Sequence, residues 1–350
     1  MVTIRDVARL AGVSVGTVSN VLNKSNKVKP ETAKRVMEAV KELNYVPNTI
    51  AKSLKTNKSN VVGVLVEDIC AFSSSTIIDG ICAECDSREY VVNLANLRIN
   101  TMVNHFSPKT YQTLVENGHF KNAVNSSINA LLSARICALI YIGAHPRDIS
   151  GILPKLNIPV IYAYCYGKNG DCCVNYDDFQ GAKLAVEYLI KQGHTKIALI
   201  CGPLDSVPAQ KRLKSYKETL KEYNIPIYEE YIRYGDWGYD YAYRECINLI
   251  NLPNPPSAIF SMSDVMAYGV IKALNDNGKK VPQDVSVHGF DNIESSWYMN
   301  PPLTTVKLPL WEVGNTAAKK VFEILENQGQ NQKDILIPCT HIIRNSVNKI

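Results

Sequence analysis

A short stretch near the amino terminus carries small and hydrogen-bonding side chains at helical spacing. The amide of an asparagine such as Asn20 can form two hydrogen bonds to an adenine edge, which discriminates between bases by about 1–3 kcal/mol. Ser14 precedes the run and favours a helix start, because a serine hydroxyl satisfies a free backbone N–H. Small neighbouring side chains let such a helix enter the major groove. The predicted base-facing residues are Ser14, Val15, Gly16, Thr17, Ser19 and Asn20.

Two further helices are predicted to position that face. Thr3 and Asp6 have the spacing of a capping box for a first helix, Gly12 ends it, and Pro30 suits the first turn of a third helix. Their packing faces follow helical periodicity and comprise Val7, Ala8, Leu10 and Ala11, then Val18, Val21 and Leu22, then Ala33, Val36, Val40 and Leu43. The pattern indicates a helix-turn-helix, although a generic pair of short helices has the same periodicity.

The residues after Pro47 predict one more helix of about seven residues, from Thr49 to Lys55. A helix this short is unstable alone in water, because nucleation costs more than its few hydrogen bonds return. If two copies meet over DNA, Leu54 becomes an apolar wedge for the minor groove while lysines contact phosphates. The alternative is a flexible basic linker. The predicted DNA contacts in this segment are Asn48, Ala51, Leu54 and Lys55.

Positive charge is concentrated in the head of the chain. The first 60 of the 350 residues contain 11 Lys and Arg against 4 Asp and Glu, whereas the whole chain carries a formal charge of +5. The remainder is therefore slightly acidic. A basic head on a near-neutral body indicates a polyanionic partner at the amino terminus, since phosphate neutralisation is the main sequence-independent source of nucleic-acid affinity. A solvated basic surface is the alternative.

Several other chemistries find no support in the sequence. It lacks a nucleophile elbow, a phosphate-binding glycine loop and paired histidines at metal spacing, so we expect no enzyme activity. Cys82 and Cys85 have metal-type spacing but no second ligand pair, so the ten cysteines are expected to be core residues, with no metal and no cofactor. The chain shows neither an export signal nor a membrane-spanning apolar run, which favours the cytoplasm and no membrane association.

From Val61 onward, short apolar runs alternate with segments of helical length, as in parallel α/β sheets. The predicted strands are Val61–Val66, Val91–Ala95, Cys137–Ile142, Val160–Ala163, Ile197–Cys201, Ala258–Ser261 and Val285–Val287. A stretch of this length predicts two sheets and two lobes. Ligands of open α/β sheets bind beyond the carboxyl ends of the strands, so a binding cleft is expected between the lobes.

Many motifs occur in a fixed order along the chain. In the head and hinge they are Thr3–Asn23, Val28–Thr32, Leu43–Asn48 and Ala51–Leu54; in the body they are Gly181–Ala185, Gly193–Leu199, Gly202-Pro203, Ser263–Ala267, Val285–Asp291, Pro302–Val306 and Ile342–Asn345. Together they resemble the lactose/galactose repressor (LacI/GalR) family. The match is nearly gapless over residues 2 to 66, and only residues 70 to 135 match poorly.

The resemblance implies an N-terminal all-α helix-turn-helix head joined to a two-lobed α/β effector domain like that of periplasmic binding proteins. The expected divisions are a DNA-binding domain at 1–47, a hinge helix and linker at 48–60, and an effector-binding and dimerisation domain at 61–350. Lobe 1 is expected at about 61–163 and 300–333, and lobe 2 at about 164–299 and 334–350.

The resemblance also assigns roles to residues. Val15, Gly16 and Asn20 match base-reading positions and Leu54 matches the intercalating hinge position, but Gly16 has no side chain with which to read a base. In the cleft, Arg212 matches a ligand-clamping arginine, Trp237 a stacking ring and Asp291 an acceptor for hydroxyl groups. This combination suits a sugar or another polyol. The full predicted effector set is Phe72, Ser73, Tyr164, Arg212, Trp237, Ser263 and Asp291.

The function expected from the resemblance is that of a transcriptional repressor controlled by a small effector, with a sugar favoured. Its partners would be a pseudo-palindromic double-stranded operator and a second copy of the chain, with a tetramer as the larger assembly. One alternative is a global carbon-catabolite regulator whose co-repressor is a phosphorylated carrier protein. An exported sugar-binding protein is disfavoured by the basic head, because such a protein would consist of the body alone.

Overall fold

The computed structural model describes residues 2–22, 28–45, 59–102, 118–168, 170–326 and 334–350. The chain divides into two compact units, Met1–Ser59 and Asn60–Ile350. The predicted hinge contacts Asn48, Ala51, Leu54 and Lys55 lie outside the described residues, so their roles stay predictions from sequence. Within the described ranges, no helix combines the length and apolar character that a bilayer-spanning segment needs.

The first unit contains the helices α1 (Ile4–Ala11), α2 (Val15–Leu22) and α3 (Pro30–Glu42). Helix α1 begins at the predicted capping box, where the Asp6 carboxylate accepts hydrogen bonds from the Thr3 backbone N–H at 2.9 Å and from the Thr3 hydroxyl at 2.7 Å. Its end is set by Gly12, whose φ of 63° is favourable for glycine. The Ser14 hydroxyl then accepts the Thr17 N–H at 3.1 Å. These caps define the turn between the first two helices.

A small apolar core holds the three helices together; its buried members are Val7, Ala8, Ala11, Val18, Val36 and Ala39. Leu10 was predicted to belong to this core, and that prediction is wrong, because its side chain is 47% exposed. Successive residues of an α-helix are rotated by about 100°. Leu10 therefore points away from the centre of the face that Val7, Ala8 and Ala11 form.

The second unit alternates strands and helices. In chain order they are β1 (Val61–Val66), α4 (Ser74–Ser87), β2 (Val91–Asn96), α5 (Gly118–Ser133), β3 (Ala138–Ile142), β4 (Val160–Ala163), β5 (Cys172–Tyr176), α6 (Asp178–Lys191), β6 (Ile197–Cys201), α7 (Val207–Glu222), β7 (Ile232–Tyr234), α8 (Tyr239–Ile250), β8 (Ala258–Ser261), α9 (Asp264–Asp276), β9 (Ser286–His288), α10 (Ser295–Tyr298), β10 (Thr305–Lys307), α11 (Leu310–Leu325), β11 (Ile335–Ile337) and β12 (Thr340–Ile342).

These strands form two parallel sheets, one for each lobe. The first sheet has the order β11-β5-β4-β3-β1-β2, and the second has the order β7-β6-β8-β9. Strands β10 and β12 form a separate antiparallel pair. The central strands of both sheets are buried along their lengths, as expected where helices cover both faces. Seven of the ten cysteines are buried as well.

The strand pairings correct all three predicted boundaries between the lobes. The segment 304–307 was predicted in lobe 1 but lies against lobe 2, since Thr304 pairs with His288 and Lys307 pairs with Asp291. Strand β5 and strand β11 pair in parallel within the first sheet, with Ile335 opposite Val174. Lobe 1 therefore extends through Tyr176 and includes Ile335–Ile337, which the prediction assigned to lobe 2. The two strands lie far apart in the chain, and their pairing leaves no periodic trace in either segment alone.

Between the lobes, the chain crosses near residues 176–178, 307–310 and 337–340. The crossing segments are tied to one another: the Asp177 N–H donates to the Ile337 carbonyl at 2.9 Å, and the Gln180 side chain accepts the Cys339 N–H at 2.9 Å. Adjacent short connections of this kind form a hinge, about which two rigid lobes can open and close.

Candidate functional site

A cavity of about 640 Å³ lies between the two lobes. Loops that follow the carboxyl ends of strands build much of its wall, as expected for open parallel sheets. Six of the seven predicted effector residues line it, namely Phe72, Tyr164, Arg212, Trp237, Ser263 and Asp291. The seventh, Ser73, is fully buried next to the start of α4 and is not part of the wall. We call this cavity the effector pocket.

Arg212 is the most firmly held residue of the pocket. Its side chain is almost fully buried, and its guanidinium donates hydrogen bonds to the Asp178 carboxylate at 2.8 Å, the Tyr176 hydroxyl at 2.8 Å and the Met262 carbonyl. The guanidinium carbon also lies 3.7 Å from the centre of the Phe290 ring. Because a guanidinium has five N–H groups, two donors remain for a ligand. The arginine is thus preorganised for binding.

Asp291 faces Arg212 from the loop after β9. Its φ of 115° is unusual for a residue with a side chain. Burial raises the pKa of its carboxyl well above the usual range, with Arg212 opposing this change and Asp264 adding to it. The loop is held by buried Asp264, which accepts the Thr305 hydroxyl at 2.6 Å and the Ile293 N–H at 2.9 Å. This support fixes Asp291 as a hydrogen-bonding group in the pocket wall.

The aromatic wall depends on a close approach between ring and backbone. Trp237 has a φ of 67°, and its ring lies so near Gly202 that an added Cβ would stand 2.3 Å from the ring. Only glycine at position 202 leaves room for this ring. On the other lobe, Tyr164 also has a positive φ of 59°, and its ring packs 5.6 Å from that of Tyr176. The pocket therefore offers flat apolar surfaces from both lobes.

The loop after β3 contributes residues that sequence reasoning missed. Arg147 lines the pocket, and its guanidinium donates to the buried Glu67 carboxylate at 2.5 Å. The same carboxylate accepts the Tyr141 hydroxyl at 2.6 Å and the Ala144 N–H at 2.7 Å. A glutamate directly after the apolar strand β1 was the available signal, because a charge at that position needs a buried partner.

Other missed residues give the pocket a polar and partly acidic wall; they are His145, Asp148, Tyr176, Asp205, Ser206 and Asp236. Each lies in or next to a loop at the carboxyl end of a strand. Burial, with a further contribution from Arg147, lowers the pKa of His145 to about 3. At neutral pH this imidazole is therefore uncharged.

In the first unit, α2 presents much of its predicted face to solvent. Ser14, Val15, Gly16 and Asn20 are exposed, whereas Thr17 and Ser19 are half-buried. Among the described residues, a Cβ added at Gly16 would meet only the Ser14 hydroxyl, at 3.6 Å. The face is open at this position, and the core behind it is unaffected by what stands there.

Comparison with known proteins places both parts of the chain. Residues 3–48 match the bacterial regulatory proteins of the lacI family, and residues 186–347 match the periplasmic binding protein-like domain. The repressor PurR of Vibrio campbellii is 31% identical to this chain, and the alignment covers 100% of both proteins. This chain belongs to the lacI family. The ribose operon repressor of Escherichia coli K12 is 34% identical, with 91% of each protein covered.

Solved structures of the family agree over the whole chain. The lac repressor dimer bound to operator and the anti-inducer ONPF is 28% identical, with a TM-score of 0.79 and 99% of each chain covered. The complex of the regulator CelR with cellobiose is 26% identical, with a TM-score of 0.64. The predicted helix-turn-helix head and two-lobed α/β body are confirmed. As a lacI-family member, the protein is a DNA-binding transcription regulator under small-molecule control.

Proposed function

We propose that this lacI-family member is a repressor whose operator affinity is set by a sugar or related polyol bound in the effector pocket. The observation that carries the proposal is the convergence of Arg212, Trp237 and Asp291 on one cavity from different elements of lobe 2. The cavity has the size of a small-molecule site, since such sites usually enclose about 300–1,000 Å³.

The chemistry of the three residues is complementary to a ring bearing hydroxyl groups. The remaining N–H groups of Arg212 donate to hydroxyl oxygens, the Asp291 carboxyl accepts from hydroxyl groups, and the Trp237 ring covers the apolar C–H face of the sugar. Ser263 adds a further hydroxyl at the start of α9, where its Oγ also accepts the Met266 N–H at 3.2 Å. The cellobiose complex of CelR supports a sugar-like effector in this fold.

DNA recognition is assigned to the face of α2 and to the hinge. Asn20 is the proposed direct reader of a base, and Leu54 and Lys55 are the proposed wedge and phosphate contact. A dimer would present two such heads to a pseudo-palindromic operator, because protein and DNA then share a two-fold axis. The operator-bound lac repressor dimer supports this assembly. The protein would act in the cytoplasm and without catalysis.

Effector and operator would be coupled through the motion of the lobes. Closure about the crossing segments near 176–178, 307–310 and 337–340 changes the relative placement of the lobes. In a dimer this would change the spacing of the two hinge segments, whose predicted seven-residue helices need a partner to stay folded. The coupling must be reciprocal, so operator DNA changes effector affinity by the same factor.

The test is a gel-shift titration of the full chain on a selected inverted-repeat operator, with a panel of free sugars. We expect at least one sugar to change operator affinity, and Asp291→Asn to weaken that response by about tenfold or more, because a carboxyl oxygen that accepts from the ligand is replaced by an amide N–H group that cannot accept. Asparagine keeps the size of aspartate and tolerates a positive φ. Asp240→Asn is the matched control, since Asp240 is an exposed carboxylate of the same lobe outside the pocket.

Two results would overturn this proposal. One is an operator affinity that responds to no sugar but does respond to a phosphorylated carrier protein, which would identify a catabolite regulator. The other is an equal loss of sugar response in Asp291→Asn and Asp240→Asn, which would remove the pocket from the mechanism.

A further inference from the structure

The charges around the effector pocket are unbalanced. Among the described residues, four carboxylates line it, from Asp148, Asp205, Asp236 and Asp291, whereas two guanidinium groups do, from Arg147 and Arg212. No lysine is part of the described wall. The wall therefore carries more acidic than basic side chains.

Both arginines are neutralised from behind by carboxylates outside the wall. Glu67 pairs with Arg147 at 2.5 Å, and Asp178 pairs with Arg212 at 2.8 Å. All four side chains are buried or nearly so. An arginine in a buried ion pair still donates hydrogen bonds to a ligand, but its charge is compensated locally. His145 adds no positive charge at neutral pH, because burial lowers its pKa to about 3.

Three of the carboxylates are exposed at the pocket, namely Asp148, Asp205 and Asp236, and we call them the acidic rim. One oxygen of Asp148 accepts the Ser150 N–H at 2.7 Å, and one oxygen of Asp236 accepts the Gly238 N–H at 2.8 Å. The second oxygen of each can accept from a ligand hydroxyl. Asp291 is not part of the rim, because it is enclosed in the pocket, where burial raises the pKa of its carboxyl well above the usual range.

The N-termini of two helices oppose the negative charge of the acidic rim. Helices α7 and α9 begin beside the pocket at Ser206 and Ser263, and a helix N-terminus favours anions through partial positive charge. That partial charge is about half an elementary charge and acts within one turn. For a group that enters between the lobes, the three carboxylates of the rim outweigh the partial positive charge of the helix N-termini.

We propose that the pocket selects an unphosphorylated polyol and rejects the phosphate ester of the same compound. This inference rests on the proposed sugar effector and narrows its chemical class. Carboxylate acceptors suit hydroxyl groups, whereas a phosphate would bring about two negative charges against the acidic rim with no uncompensated cation to receive them. The signal would then be the free compound as taken up or released, before any kinase has acted on it.

The test uses matched pairs on the full chain: ribose and ribose 5-phosphate, glucose and glucose 6-phosphate, and adenosine and adenosine 5′-monophosphate. Binding is measured by calorimetry and by the shift in thermal unfolding. For each pair that binds, we expect the affinity of the ester to be lower than that of the free compound by roughly tenfold or more. The ratio of the two affinities should fall as salt screens the charge of the rim.

Charge-removing variants test the cause of the selectivity. The double variant Asp205→Asn/Asp236→Asn should lower the ratio of the affinity for the free compound to the affinity for its ester, whereas Asp240→Asn should leave this ratio unchanged. The double variant and the control both replace exposed carboxylates, so we expect each protein to keep its fold.

The other outcomes of these binding measurements distinguish failure of this inference from failure of the proposed function. An ester that binds as tightly as its parent, or a ratio that the double variant does not narrow, would overturn this inference and leave a sugar-type effector standing. Failure of every compound to bind in either form would overturn the proposed function itself, and this inference with it.

Discussion

Three residues of the effector pocket share a backbone conformation that side chains rarely adopt. Tyr164, Trp237 and Asp291 have φ values of 59°, 67° and 115°. Such conformations cost of order 1–3 kcal/mol each and persist only where the surrounding structure enforces them. All three side chains line the pocket. The strain therefore serves to aim them into the cleft, and the packing behind each one should control binding.

Gly202→Ala tests that packing. The added Cβ would lie 2.3 Å from the Trp237 ring, so the ring must move. We expect effector affinity to fall about three- to tenfold, because a displaced ring loses its stacking contact. Effector titration and tryptophan fluorescence would measure the change. Gly118→Ala is the control, since its Cβ would meet no described residue within 4 Å. Equal affinities in both variants would contradict the role of Gly202.

The carboxyl of Asp264 predicts a pH dependence. Burial raises its pKa from 3.8 to about 7 in the folded protein. The folded state therefore favours the protonated acid, and the stability from this group is full below the unfolded pKa and lost as the pH rises through about 7.

Urea unfolding between pH 4 and pH 7 would show the effect. We expect the free energy of unfolding of the wild type to fall, relative to that of Asp264→Asn, by up to a few kcal/mol across this range. Groups that do not interact with Asp264 cancel in the difference between the two proteins, whereas Asp291 contributes to it, because Asp264 helps to raise the pKa of Asp291. Parallel pH curves for the two would show that Asp264 does not titrate in this range.

At the scale of elements, helix α2 is held in place by buried and capping contacts, while its opposite face is exposed. Val18 is fully buried in the head core, and Ser14 caps the helix start, so the helix is held from behind and at its end. Its exposed residues are then free to vary in chemistry without loss of the fold. At Gly16 an added Cβ would make one ordinary van der Waals contact with a described residue, to the Ser14 hydroxyl at 3.6 Å.

Gly16→Gln is expected to change operator preference. The new side chain would extend from an open position, and a glutamine that reads a base discriminates by about 1–3 kcal/mol. Selection from a randomised operator library would reveal a new preferred base in each half-site. Gly16→Ala adds a Cβ without a hydrogen-bonding group, so it should keep the original preference. An unchanged consensus for Gly16→Gln would show that this position does not face the bases.

At the scale of the molecule, helix α2, the proposed DNA-reading helix, lies in the unit Met1–Ser59, whereas the effector pocket lies in the unit Asn60–Ile350. A signal between them must pass along the connecting chain. The sequence predicts a helix from Thr49 to Lys55 within that connection, and a helix of this length would need a partner to stay folded. If operator DNA is that partner, as we propose, folding of this segment would give the body a means to control the head.

Leu54→Ala tests this connection, which sequence reasoning alone supports. The variant should lose affinity for a specific operator while keeping salt-sensitive binding to random DNA, because the wedge acts only when both hinges are folded on a site. Competition gel shifts at several salt concentrations would separate the two modes. An equal loss on random DNA would mean that Leu54 is not a wedge.

Local sequence determined much of this protein. Caps at Thr3 and Ser14 and the apolar spacing around Val7 and Val18 act within a few residues, so the head follows from local rules. The same holds for long apolar strands such as β1 and β3. The family resemblance led to the predictions for Arg212, Trp237 and Asp291, and six of the seven predicted effector residues line the pocket.

Tertiary structure alone decided the lobe boundaries and the pocket residues that were not predicted from the sequence, such as Arg147. Short strands such as β5 and β11 are stable only through a partner far away in the chain, so their own residues carry no clear signal. Arg147 depends in the same way on Glu67, and Trp237 depends on the space that Gly202 leaves. Contacts between distant residues set these positions, because burial and ion pairing act through space and not along the chain.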